Sequence, residues 1–135
     1  MVAKISVGKN LYGTLAYNQN KVDEGEAKIL SAHLLRYPED GRFRPDESMR
    51  QLLEWMPSHY RTEKPVIHIS LNPHPDDILT DEQLAEIGRE YMQRLGYGNQ
   101  PYLVFKHEDI DRHHIHIVSL RVDSEGRKVS DKFEH

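Results

Sequence analysis

The chain has 135 residues, a length suited to one domain with a core of its own. It has no cysteine, which excludes disulfides and thiolate metal ligands; no apolar run nears the roughly 18 residues of a membrane span and no signal-peptide pattern opens it, so a cytoplasmic protein is expected. Eighteen Lys and Arg against 22 Asp and Glu give a net charge of −4, the wrong sign for attracting phosphate, but the stretch from His74 to Gly96 holds six acids and two bases and accounts for all of it.

In chain order, Ala3, Ile5 and Val7 alternate with Val2, Lys4 and Ser6, which reads as a first strand. Asn10 is placed to cap a helix running to about Asn20. Ile29, Leu30, Leu34 and Leu35 mark an apolar element whose type the pattern leaves open. A turn-rich loop from Pro38 to Pro45 follows, and Asp46 is expected to cap a helix carrying Met49, Leu52, Leu53 and Met56, stopped by Pro57. Pro65 to Asn72 reads as a strand with Ile67, Ile69 and Leu71 on one face and His68, Ser70 and Asn72 on the other. Thr80 and Gln83 form a capping box for a helix that buries Leu84, Ile87, Tyr91 and Leu95 and ends at the glycines 96 and 98. Two strands, Tyr102 to His107 and His114 to Val122, are joined by a short polar loop, and a turn covers Asp123 to Gly126. The fold class expected is α+β: a central, mainly antiparallel sheet covered by helices, with a histidine-bearing hairpin. Residues 1–135 form one domain, and the charged end without a stop signal suggests that it continues in a longer protein. The acidic helix from Asp81 to about Leu95 is expected on the sheet face away from any DNA site, because its charge would repel DNA.

His114 and His116 lie two residues apart in a strand, so both project from one face, about 7 Å apart. If the polar loop closes a simple hairpin, His107 sits opposite His114, and three imidazoles meet with Asp109 and Asp111 nearby. Three protein ligands leave positions open for a substrate oxygen, the pattern of a catalytic metal site. Asp109 is placed to accept a ring N–H from one histidine. His33, His59, His74 and His135 lack partners at ligand spacing and are expected at the surface.

The run His107-x-Asp109-x-x-x-x-His114-x-His116 resembles the three-histidine motif of the relaxases, the mobilisation nucleases of the HUH endonuclease superfamily. Phe105-Lys106-His107 and His116-Ile117-Val118-Ser119 also fit that family's strand pattern, and the order of elements is similar over most of the chain. The resemblance implies site- and strand-specific DNA nicking by metal-assisted tyrosine transesterification, leaving a 5′-phosphotyrosine adduct, for mobilising a plasmid or integrated element. It implies Mg²⁺ or Mn²⁺ on the three histidines, although an all-imidazole set suits Mn²⁺ or Zn²⁺ better, with Zn²⁺ or Ni²⁺ as further occupants in vitro. The implied partners are single-stranded or extruded origin-of-transfer DNA and accessory mobilisation proteins.

The family's nucleophile is a tyrosine near the N-terminus, which makes Tyr17 and Tyr12 the candidates. Tyr12 neighbours Leu15 and Ala16 and is expected to pack. Tyr17 has Gly13 and Thr14 a turn before it and Asn20 and Lys21 a turn after, a small polar face with room for DNA. Leu15-Ala16-Tyr17-Asn18 is similar to the family's tyrosine segment and points to Tyr17. Ser70 resembles a family serine beside the cleavage site, and Lys4, Lys21 and Arg112 are candidate phosphate contacts.

Three alternatives stand beside this reading. In replication initiators and transposases of the same superfamily the tyrosine commonly follows the histidines. A small-molecule phosphoesterase is suggested by His68-Ile69-Ser70, which occurs once where that chemistry needs two. The third is an accessory DNA- or metal-binding module without catalysis.

Overall fold

The computed structural model describes residues 1–108 and 113–129. Five strands form one antiparallel sheet: β1 (Val2–Gly8), β2 (Ala27–His33), β3 (Val66–Asn72), β4 (Tyr102–His107) and β5 (His114–Leu120), in the spatial order β1-β3-β5-β4-β2. Three helices, α1 (Leu11–Asp23), α2 (Pro45–Trp55) and α3 (Asp81–Leu95), cover it. The fold is therefore the α+β antiparallel arrangement expected from the sequence, with β4 and β5 as the histidine-bearing pair.

Local chemistry explains most boundaries. The Asn10 side chain accepts from the Gly13 amide and starts α1. The Thr80–Gln83 capping box is formed in full, and Gly96 ends α3 at φ 96°, a left-handed position that favours glycine. Two details depart from expectation. Asp46 lies in the first turn of α2 and not at its cap, because Pro45 occupies the first helical position and Arg44 the cap. The apolar segment at 27–33 is a strand paired with β4, and a register irregularity between Ile29 and Ser31 breaks the alternation that would have revealed it.

Side-chain parity sorts the core into two layers. Ile67, Ile69, Leu71, Val104, Ile115 and Ile117 pack with Leu84, Met92 and Leu95 of α3. Val66, Leu103, Phe105, Val118 and Leu120 pack with Leu11 and Leu15 of α1 and Leu52 and Met56 near α2. The buried stripe of α3 runs through Leu84, Gly88, Met92 and Leu95, while Ile87 and Tyr91 flank it half-buried. Gly88 faces the sheet, where a Cβ would stand 3.3 Å from the Ile115 Cδ1, so the missing side chain lets α3 approach closely.

Lys28 and Lys106 oppose each other on β2 and β4, and Lys106 is buried. Asp81, at the start of α3, bonds both ammonium groups, with 2.7 Å from Lys106 Nζ to its Oδ1. Lys106 first, and Lys28 after it, hold the Asp81 carboxyl below its ordinary pKa. That stabilisation is present above the ordinary carboxylate range and is lost as pH falls through the lowered value. Asp81→Asn is expected to destabilise the fold by about 1–3 kcal/mol, toward the lower end because Asp81 is 41% exposed. Denaturant titrations of both proteins at neutral and acidic pH check this, and the gap between them should close in acid.

Candidate active site

The β4–β5 register sets His107 directly opposite His114. His116, two residues on, faces Phe105 across the same pair and Ser70 across β3. All three imidazoles therefore emerge on the α1 side of the sheet, where one ligand nitrogen from each falls within 4.8 Å of the others. The His107 and His116 rings are 3.9 Å apart between centroids, those of His114 and His116 4.9 Å, and those of His107 and His114 5.4 Å. His107 is buried and the other two are half-buried. Three imidazole nitrogens that converge in this way can hold a divalent ion.

Helix α1 supplies the rest. It buries Leu11, Leu15, Asn18 and Gln19, so two of the four inward residues are polar. Asn18 is fully buried, and its Nδ2 donates to the Thr14 carbonyl at 2.9 Å. That leaves Oδ1 facing Nε2 of His107 at 2.8 Å. The next residue back, Tyr17, is half-exposed and lays its ring over His107 with centroids 6.2 Å apart and planes 27° from parallel. Tyr12 is also half-exposed, contrary to the packing role expected of it, because it falls beside the buried stripe and not within it.

Strand β3 adds His68, whose Nε2 lies 2.9 Å from Nδ1 of His116, with ring centroids 4.9 Å apart. Burial pushes the His68 pKa down, which favours the neutral ring. Ser70 lies opposite His116 and its hydroxyl accepts from Asn72 Nδ2 at 3.1 Å. Lys4 is opposite Ser70 on β1, exposed on the same face. Lys21 belongs to α1, and its ammonium bonds Glu26 at 3.1 Å, so its charge is partly spent within the protein. Asp109 and Arg112 lie outside the described residues. Helix α3 with Glu82, Glu86 and Glu90 packs on the opposite face, as its charge required. His59 and His74 are exposed, whereas His33 is half-buried, bonded to the Gly98 carbonyl at 2.8 Å and stacked on Tyr102, a contact made across the fold.

Among the described residues, Asn18 and His68 are neighbours of the cluster to which the sequence reading gave no role at the metal site. His68 shares its strand parity with Ser70, which was the available signal. Asn18 had only its place beside Tyr17.

The family Relaxase, described as a MobA/VirD2-like nuclease domain, matches residues 17–135. The chain belongs to that family. No curated protein and no solved structure matches it. As a relaxase nuclease domain it acts on DNA, in the general role of nicking and mobilisation. Among the described residues no helix is long and apolar enough to cross a membrane.

Asn18 ties α1 of this relaxase domain to the sheet through a buried polar contact. Asn18→Leu removes the acceptor from His107 at nearly constant volume and is expected to cost about 1–3 kcal/mol, and Asn18→Asp, which turns an oxygen toward the Thr14 carbonyl and buries a carboxylate, should cost at least as much. Thermal or urea unfolding of the two variants checks the order.

Proposed function

We propose that the domain nicks one DNA strand at a specific site by tyrosine transesterification, with Tyr17 as nucleophile and His107, His114 and His116 as the seat of a divalent ion. The observation that carries this reading is the Tyr17 ring lying over His107, at the edge of the three-histidine cluster. Mg²⁺ and Mn²⁺ are the ions the family resemblance implies, and the imidazole set would also accept Zn²⁺ or Ni²⁺. When bound, the ion would draw charge from the phosphoryl oxygens and stabilise the transition state.

The chain's own residues position and attack. The Tyr17 oxygen forms a bond to phosphorus while the bond from phosphorus to the 3′ oxygen breaks. The phenol loses its proton, the departing 3′ oxygen gains one, and the 5′ phosphate stays on the tyrosine. One phosphodiester replaces another, so the step reverses readily and can rejoin a strand. A tyrosine on a helix does not reach phosphorus easily in an intact duplex, which favours single-stranded or extruded origin DNA as substrate. Ser70 and Lys4, beside the cluster on the same face, are the nearest of the assigned DNA contacts. Lys21 would exchange Glu26 for phosphate, Arg112 is a further phosphate contact, and Asp109 would accept a ring N–H from one of the histidines.

The biological setting that follows is mobilisation of a plasmid or integrated element, in the cytoplasm and with accessory mobilisation proteins. A tyrosine that precedes the histidines argues against the initiator and transposase arrangement. The decisive test is incubation with a labelled origin-type oligonucleotide and Mn²⁺, followed by mapping of the peptide–DNA adduct. Tyr17→Phe should abolish adduct and nicking with folding intact and DNA affinity little changed, since affinity comes mainly from phosphate contacts. Tyr12→Phe should remain active. An adduct surviving Tyr17→Phe would reassign the nucleophile, and no adduct with the unaltered protein would favour an accessory binding module.

A further inference from the structure

We propose that His68 is a positioning residue that fixes the tautomer of His116, so that His116 presents Nε2 to the ion. The inference rests on the three-histidine metal site proposed above and adds a fourth histidine with a different task. Nδ1 of His116 and Nε2 of His68 are 2.9 Å apart, a hydrogen-bond distance, and one of the two must carry the proton. The other nitrogen of His116, Nε2, is fully buried within the cluster. A metal donor must have its lone pair free, so a His116 that binds through Nε2 carries its proton on Nδ1 and donates it to His68. His68 then accepts through Nε2 and holds its own proton on Nδ1.

The fold makes this pairing rigid. His68 and His116 are diagonal neighbours across β3 and β5, since His68 is in register with Val118 and His116 with Ser70. Their rings meet edge to edge through this bond, with centroids 4.9 Å apart and planes 25° from parallel. Among the described residues the converging set comprises His107, His114 and His116, and His68 stands behind it. An acceptor on the far nitrogen of a ligating histidine both orients the ring and raises its basicity, and removing such a partner typically costs roughly 10–100-fold in metal affinity.

The first experiment needs neither metal nor a variant: ¹⁵N NMR of the imidazoles in the metal-free protein should find His116 protonated on Nδ1. His68→Phe, which keeps a flat ring and removes the acceptor, should shift His116 toward a mixture of tautomers. The same substitution should weaken Mn²⁺ or Zn²⁺ binding, measured calorimetrically, roughly 10–100-fold. His68→Gln places an amide oxygen near the lost Nε2 and should recover most of that affinity, which a purely structural role would not produce. His116 protonated on Nε2 in the unaltered protein would overturn the proposal, as would metal affinity unmoved by His68→Phe. Should the unaltered protein bind no divalent ion, the metal reading falls, while the NMR result still decides the His68–His116 bond.

Discussion

Everything at the candidate site depends on the antiparallel register of β4 against β5. Pairing His107 with His114 puts both on one face, and the two-residue period of a strand carries His116 there as well. A slip of one residue would turn the histidines of one strand into the apolar layer under α3 and bring its isoleucines or valines to the α1 side. The apolar packing on both faces resists such a slip. Ile115 and Ile117 are buried against α3, while Phe105, Val118 and Leu120 are buried against α1 and α2, so the same hydrophobic burial that holds the sheet together fixes the imidazoles.

The two faces differ in charge for reasons that begin at that parity. The acids of α3 are confined to the far side, and part of their charge is used locally: Asp81 answers Lys28 and Lys106, while Glu86 and Glu90 bond Arg89 and Arg94 along the helix. The near side carries imidazoles, Ser70, Asn72 and Lys4 beside the cluster. A protein with net charge −4 thereby keeps the four acids of α3 behind the sheet, and the potential that an incoming phosphate meets depends on the local face as well as on the total.

Helix α1 is held to the site by polar contacts as much as by apolar ones. Leu11 and Leu15 enter the core, but Asn18 reaches His107 through a carboxamide whose orientation its own helix fixes. The helix that carries Tyr17 is thus located relative to the histidines by a directional bond, which apolar burial alone would not provide. Tyr17 itself stays half-exposed over His107, open to a strand of nucleic acid from the solvent side.

What the sequence by itself determined was whatever depends on neighbours a few residues away. The alternation in Pro65 to Asn72, the Thr80–Gln83 cap, the Asn10 cap and the spacing of His107, His114 and His116 are local, and their consequences follow from strand and helix geometry alone. The strand at 27–33 was obscured because its register shifts between Ile29 and Ser31, and Asp46 yielded the cap because Pro45 fits the first helical position better. Only the tertiary structure brought His68 to His116 and Asn18 to His107, since those contacts span 48 and 89 residues. Nothing local distinguishes a histidine bonded across a sheet from one facing water. The same holds for Lys106, a buried strand lysine whose ammonium meets Asp81 of a separate helix. Such pairs form because folding removes water from both partners at once, and neither partner's neighbours in the chain record it.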